Sequence, residues 1–453
     1  MIAGLAGLLV PTVASAHSLS GRLQSPLPFL AYVAGAGVAV AVSFLLIALS
    51  DPGPPPDERS GRIRPVPGWL RVLLRAIGLI GWLWIVVQTI IGGSSDADVA
   101  SLFLWGYGWI GIAMLCAFVG PVWRWIDPFT TLHDLGAWLL RRLHVQGIAA
   151  QPWPERLDVW PAVVGFGFFI WLELVAKIAS GQLLGMTLIA YTTVTLVGMA
   201  QYGRDPWRAQ GETFSVWFGL LGRLAPFAPV KDGTDRQVRR RPMGAGLVSE
   251  PWTVTLVMLV ALGTGSIIYD GLSQTELFFS LFGIPSNLTG TLIFGGFLAI
   301  IVAAVLVVAR QVGTAAMGAG LLPVAVGYLI AHYLSTLLID GQRIVIAISD
   351  PFQQGWDLFG TAFMQPQTGW LPTELLWTLQ VGAVVVGHIV GAWAGHTAAR
   401  RDVGAPGEPR PSQLPLAVLM VALTALTLWS LGQNLRFETH DGVTGLVRLV
   451  LGG

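Results

Sequence analysis

Residues 287–309 read NLTGTLIFGGFLAIIVAAVLVVA, a run without a charged side chain. Because a helix rises about 1.5 Å per residue and the hydrocarbon core of a bilayer is about 30 Å thick, a run of this length crosses the bilayer once. Comparable runs recur on both sides of it. They predict about ten membrane-spanning helices, at residues 28–49, 74–92, 101–122, 159–179, 182–201, 252–270, 287–309, 312–339, 373–398 and 414–433.

The composition of the chain agrees with an all-α, polytopic transmembrane bundle. Of its 453 residues, 54% are hydrophobic and 11% are charged, a balance outside the range of soluble globular proteins. The formal net charge of +1, without a long basic run, argues against a nucleic-acid partner. The single cysteine excludes a disulfide framework and a thiolate zinc site, so His and carboxylate side chains must hold any metal.

Residues 1–16 resemble a cleavable signal peptide. They are too short to cross a bilayer, and they end in the small residues Ala14, Ser15 and Ala16, although a basic region before the apolar stretch is missing. Cleavage after Ala16 would leave His17 at the start of a single membrane domain, 17–453. A terminal histidine offers both its imidazole and its α-amine to a metal.

Arginine is distributed unevenly between the connections, which predicts how the helices cross the membrane. Segments 50–73, 202–250 and 399–413 are rich in arginine, whereas 92–99, 270–286 and 340–372 are neutral or acidic. Since basic connections stay in the cytoplasm, we expect a multi-pass protein of the cytoplasmic membrane with both mature termini outside.

Two of the predicted cytoplasmic connections begin with Asp-Pro and an aromatic residue, at 127–145 and 205–227. Asp followed by Pro is a common helix start. Apolar residues recur on one side of each segment, which predicts two amphipathic helices on the inner leaflet. The alternative is a duplicated motif with a functional role.

Ionisable residues within the spans indicate where function lies, because a charge at the centre of a bilayer costs about 2.5–3.5 kcal/mol on insertion scales. Glu173 and Lys177 are four residues apart, the spacing of a helical ion pair. His332, Asp270 and Asp340 are expected at the outer ends of two spans, on the same side as His17. These four residues predict an outward-facing site for a divalent transition metal, copper or zinc.

Span 373–398 places His388 near the middle of the membrane, where an imidazole has no water to bond, and we include it among the candidate metal ligands. His396 lies about 12 Å further along the same helix, at about 1.5 Å per residue, so the two cannot share one ion. Gly387, Gly391 and Gly395 repeat at the spacing that marks close packing of membrane helices.

Several segments resemble a family of bacterial integral membrane proteins named fenitrothion hydrolases. The segments are the Ala-His at the cleavage site, YDGLSQTELF, AHYLSTLLIDGQ, SDPFQQGWDLFGT, GHIVGAWAGH and FGLLGRLAP. The resemblance extends from His17 to about His396. It implies hydrolysis of an organophosphate triester, but no catalytic residues of the family can be carried over.

Three functions are compatible with these patterns. In the first, a metal on some of the candidate ligands activates water against a lipophilic phosphotriester or similar ester that partitions from the lipid bilayer. In the second, the same groups capture a transition metal outside and pass it inward along His332, His388 and His396. The third is a structural subunit of a larger membrane complex. Soluble-enzyme motifs such as Gly-x-Ser-x-Gly or His-Glu-x-x-His are missing.

Overall fold

A computed structural model of the chain describes residues 61–91, 99–145, 149–178, 181–230, 235–352, 354–367, 369–402 and 412–432, together with a few residues between 34 and 45. Residues 1–16 and His17 lie outside the described residues, as does most of the expected span 28–49. The described chain is mostly helical, as the composition predicts.

The described helices fall close to the predicted spans. The principal ones are α1 (Gly68–Ile91), α2 (Val99–Phe118), α3 (Pro128–Arg142), α4 (Trp160–Leu174), α5 (Gln182–Tyr202), α6 (Thr213–Leu221), α7 (Val254–Ser273), α8 (Asn287–Val312), α9 (Thr314–Leu338), α10 (Thr373–Asp402) and α11 (Leu414–Gly432). Shorter helical segments are Trp123–Ile126, Glu155–Leu157, Arg204–Pro206, Trp207–Gly211, Ala245–Ser249, Glu276–Phe282, Asp340–Gln342 and Arg343–Ala347. Part of α2, Leu102–Gly111, is π-helical.

Eight of the helices in the described part of the chain are long and apolar enough to cross a membrane: α1, α2, α4, α5, α7, α8, α9 and α10. Helix α11 is apolar but shorter over Leu414–Ser430. Helices α7 and α9 are central, since 78% and 83% of their most apolar windows are buried, against 11% in α1. The chain is therefore a helical bundle with a lipid-compatible surface, and the total of about ten spans stays a prediction.

Side-chain contacts fix the directions of the central helices. Trp252, just before α7, packs on Gly318 near the start of α9, and Asp270 meets His332 near the other ends of both helices. Helices α7 and α9 therefore run parallel. Helix α8 runs opposite to them, since Tyr269 late in α7 packs edge-on against Phe294 early in α8, with ring centroids 4.9 Å apart. We call the two ends of the bundle the Asp270 end and the arginine end, the latter holding Arg75, Arg124, Arg204, Arg208 and Arg241.

The glycine repeat of α10 packs directly on α9, as predicted. A Cβ at Gly391 would lie 2.4 Å from the carbonyl oxygen of Gly320, and one at Gly387 would lie 2.7 Å from that of Pro323. Because the later glycine meets the earlier residue, the two helices are antiparallel. Glycine is required here since any side chain would collide with the neighbouring backbone.

A small sheet lies at the arginine end, which the sequence did not predict. Strands β1 (Ile63–Pro65), β2 (Phe227–Pro229) and β3 (Gln237–Arg240) pair antiparallel in the order β1-β3-β2, with Ile63 opposite Arg239 and Ala228 opposite Arg239 on the other side. The sheet joins two arginine-rich connections that are far apart in the sequence.

The two Asp-Pro segments differ from each other. Asp127 begins α3 as predicted, its carboxylate accepting the backbone N–H groups of Phe129 and Thr130, and α3 leaves Leu135 and Trp138 exposed, as an amphipathic surface helix does. The prediction of a second interfacial helix from Asp205 is wrong. Glu212 caps α6 instead, and α6 is buried on several sides, since Val216, Trp217, Phe218, Leu220 and Leu221 are all enclosed.

Candidate functional site

Asp270 on α7 and His332 on α9 form a buried pair at the Asp270 end of the bundle. Their Oδ2 and Nε2 atoms are 2.7 Å apart, and the side chains are only 5% and 7% exposed. The other carboxylate oxygen of Asp270 accepts an N–H from Gln274 at 2.9 Å. Because Gln274 lies one turn further along the same face, the sequence of α7 itself holds the carboxylate in place.

Helix α4 and a second residue of α9 bring further polar side chains to this pair. Glu173, near the end of α4, is buried and interacts electrostatically with Asp270. Tyr333, also buried, interacts with the Asp270 carboxylate and with the indole of Trp109 in the π-helical part of α2. The pair is therefore the centre of a polar cluster inside the most buried part of the bundle, which we call the Asp270 cluster. Ionisable groups at such positions are rare unless they serve a function.

The placement of Glu173 differs from the expected ion pair with Lys177. Helix α4 ends at Leu174, before Lys177 is reached. Lys177 is exposed and has a φ of 49°, so the helical spacing that predicted the pair does not exist. Glu173 instead interacts electrostatically with Asp270, a group of like charge and therefore not a counter-ion.

The structure does not bring Asp340 or His388 to the pair. Asp340 lies beyond the end of α9 in Asp340–Gln342, where its carboxylate is 3.9 Å from Arg343, and burial raises its pKa while Arg343 opposes the shift. His388 on α10 bonds the carbonyl of Val384 through Nδ1 and the hydroxyl of Thr424 through Nε2, at 2.7 and 2.5 Å. His17 lies outside the described residues.

The positions of the candidate ligands show how many of them could bind one metal ion. Protein sites for zinc or copper use three or four ligands, and the described residues contain no group of three or more His, Cys, Asp or Glu side chains that could hold an ion. The Asp270–His332 pair supplies two donors. The described residues therefore do not fit a metal centre, and the predicted cofactor gains no support from the geometry.

A second polar cluster, at the arginine end, was not predicted from the sequence. The Asp235 carboxylate accepts hydrogen bonds from Arg124 and Arg208, with Nη2 and Nη1 at 2.6 and 2.8 Å. Arg208 also contacts Asp127 at 3.5 Å and Asp205 at 3.8 Å. Asp127 and Asp205, the first residues of the two Asp-Pro motifs, thus contact the same arginine. The repetition of this motif is the sequence signal from which the cluster could have been predicted.

The pKa values of the carboxyl groups in this cluster are shifted in different directions. Although burial opposes it, the guanidinium groups of Arg208 and Arg124 lower the pKa of Asp235. Burial raises the pKa of Asp127 despite the neighbouring Arg208. Burial and the negative charge of Asp127 raise the pKa of Glu212, which also accepts the backbone N–H groups that begin α6. The cluster ties three connections together at one end of the bundle.

Comparison with known proteins adds no name to this fold. No family model, no curated protein and no solved structure matches the chain. The class that the helices define, a multi-pass membrane protein, therefore rests on the chain's own residues.

Proposed function

We propose that the protein is a membrane proton transporter in which the Asp270–His332 pair binds the transported proton. The observation that carries the proposal is the 2.7 Å contact between a carboxylate and an imidazole on two central membrane-spanning helices. Proton relays in membranes are built from Asp, Glu and His side chains that face the interior of a bundle. The nearby Glu173 and Tyr333 belong to the same class of groups.

The chemistry of the pair suits reversible proton binding. An imidazole and a carboxylate can each take up and release a proton, and the carboxylate compensates the charge of the imidazolium. One proton added to the pair changes its net charge by one while the hydrogen bond between the two groups is kept. The bias of arginine toward the opposite end of the bundle supports an orientation in which the pair faces outside.

A second candidate function is favoured by the same contact. A carboxylate that accepts one ring N–H of a histidine orients the other ring nitrogen as a general base. His332 held by Asp270 would then activate water against a lipophilic ester, as the resemblance to the fenitrothion hydrolases implies. This function needs His332 to reach the substrate from a bundle in which its side chain is 7% exposed.

Proton uptake by reconstituted protein tests the first function. Proteoliposomes that contain a pH-sensitive dye are given a membrane potential with potassium and valinomycin, and the initial rate of acidification is measured. Asp270→Asn and His332→Gln should each lower the rate by about tenfold or more, the loss expected when one hydrogen bond to a charged group is removed. Asp350→Asn is the control, because that carboxylate only holds the turn at Gln354 and Gly355.

The two candidate functions give different results with the same preparations. A wild-type rate equal to that of protein-free liposomes contradicts proton transport. Turnover of a chromogenic phosphotriester that is lost in His332→Gln supports the hydrolase. Titration with Zn²⁺ or Cu²⁺ tests the remaining alternative of metal transport, since a metal cargo would bind tightly to wild type and weakly to Asp270→Asn.

A further inference from the structure

A second buried histidine has a hydrogen-bond network that accommodates two protonation states. His388 on α10 is fully buried between α9 and α11, and it meets Tyr328 of α9 and Thr424 of α11. The hydroxyl of Thr424 lies 2.5 Å from His388 Nε2, 3.0 Å from the Tyr328 hydroxyl and 2.6 Å from the Met420 carbonyl oxygen. Three polar partners therefore converge on one hydroxyl.

The donors and acceptors around this hydroxyl determine which states are possible. The Val384 carbonyl oxygen can only accept, so His388 Nδ1, 2.7 Å away, carries a hydrogen in every state. A hydroxyl has one hydrogen and can accept twice. When His388 is neutral, the Thr424 O–H donates to Nε2, and the Tyr328 O–H donates to Thr424.

The cationic form of His388 is satisfied by the same heavy atoms. Its Nε2–H donates to the Thr424 oxygen, which still accepts from Tyr328, and the Thr424 O–H rotates to the Met420 carbonyl oxygen. No side chain has to change its rotamer. A histidine that serves only packing needs one of these states, whereas here both leave every named polar atom with a partner.

None of the described residues that contact the His388 ring is charged. The groups that face its ring are the Tyr328 and Thr424 side chains and the carbonyls of Val384 and Met420, and none of them carries a charge. A buried cation without a counter-ion is costly in a membrane. His388 can therefore release a bound proton readily, as a relay requires.

Polar side chains extend from His388 toward the Asp270 cluster. Tyr328 precedes His332 by one helical turn on α9, about 6 Å along the axis at about 1.5 Å per residue. On α11, Thr427 interacts with Tyr328, and Ser430 is buried against Gly271, the neighbour of Asp270. Both helices thus carry hydroxyl groups from one histidine to the level of the other.

We propose that His388 is a second proton-binding site, which exchanges a proton with the Asp270–His332 pair through the hydroxyls of α9 and α11, with Thr424 as the switching group. In this step the His332 imidazolium loses one proton and becomes neutral. His388 Nε2 gains one and becomes an imidazolium, while each hydroxyl between them passes on one proton as it takes up another. The inference rests on the proposed proton transport and names its inner acceptor.

The Thr424→Val variant tests this inference, since valine keeps the shape of threonine and removes the hydroxyl. Its matched control is Thr397→Val on α10, where a buried hydroxyl bonds only the Trp393 carbonyl at 2.7 Å. Protein labelled with ¹⁵N-histidine in nanodiscs is studied by NMR across about pH 5 to 8, where imidazoles titrate. The His388 signal is assigned from its absence in His388→Gln.

We expect the His388 signal of wild type and of Thr397→Val to change reversibly with pH, and that of Thr424→Val to stay neutral. Proton uptake by Thr424→Val should fall by about tenfold or more, with Thr397→Val unchanged. A His388 that stays neutral in folded wild type, or wild-type uptake by Thr424→Val, overturns the relay. If wild type takes up no protons but His388 titrates only with Thr424 present, the site is supported and proton transport is refuted.

Discussion

Replacing Asp235 by Asn should strongly destabilise the arginine end of the bundle. The side chain of Asp235 is 5% exposed and accepts hydrogen bonds from both Arg124 and Arg208. Removing one partner of a buried ion pair costs about 3–5 kcal/mol, because the remaining charge is left without compensation. Arg208, itself 5% exposed, would keep its hydrogen bond to the Arg124 carbonyl and the longer contacts with Asp127 and Asp205. We therefore expect the free energy of unfolding to fall by about 3–5 kcal/mol.

The assay is reversible unfolding in mixed micelles with a denaturing detergent, followed by tryptophan fluorescence. Asp205→Asn is the matched control in the same cluster, since its carboxylate is 47% exposed and pairs with Arg204, and exposed pairs contribute about 0–1 kcal/mol. Because the arginines lower the pKa of Asp235, its stabilising contribution should be present above the unfolded pKa of about 3.9 and lost as the pH falls through the lower folded value. Equal and small effects of the two variants would refute the ion network.

Three further outcomes are expected. Gly391→Val should lower the free energy of unfolding by about 1–3 kcal/mol or more, because its Cβ would lie 2.4 Å from a backbone oxygen. Gly382→Val should be tolerated, since a Cβ there would have no atom within 4 Å. Equal effects of the two variants would contradict the helix contact. Because the pKa of Glu212 is raised, the folded state keeps a proton above about pH 4.3 that the unfolded state releases, so the free energy of unfolding falls as the pH rises. Glu212→Gln removes this titration, and the free energy of unfolding should then depend less on pH. An unchanged slope of that free energy against pH would contradict this. Tyr107→Phe should loosen the connection after α9, because its hydroxyl donates to the Gly341 carbonyl at 2.7 Å, and faster amide hydrogen exchange at 341–347 would show it.

The membrane-spanning helices could be predicted from the sequence because lipid leaves the backbone few alternatives. Every backbone N–H and C=O in hydrocarbon must bond within its own helix, so apolar runs such as 287–309 and 182–201 fold as helices of nearly the predicted length. The glycine repeat of α10 was interpretable for a similar reason, since a missing side chain within an apolar helix indicates a close neighbour.

The site could be predicted only in part. Asp270 and His332 were placed at the same depth from the ends of their spans, and the structure joins them. The same reasoning did not find the partners of His388, because depth along a helix does not show which way a side chain faces, and its polar partner Thr424 looks like an ordinary residue of an apolar span.

The arginine cluster was missed for a different reason. Asp235 lies in a charged connection that looks solvent-exposed in the sequence, and its partners Arg124 and Arg208 are 111 and 27 residues away. Only the tertiary contacts bury them. The start of α6 was misplaced because Glu212 competes with Asp205 as the helix cap, and the sequence alone favoured the Asp-Pro pair.

The central claim is that Asp270 and His332 act as one proton-binding unit. A double-mutant cycle on the initial rate of potential-driven proton uptake tests it most directly, with Asp270→Asn, His332→Gln and the two combined. Residues that act as a unit are not additive, so the double variant should be no slower than either single variant. A double variant whose loss is the product of two separate losses, or single variants that keep the wild-type rate, would contradict the account.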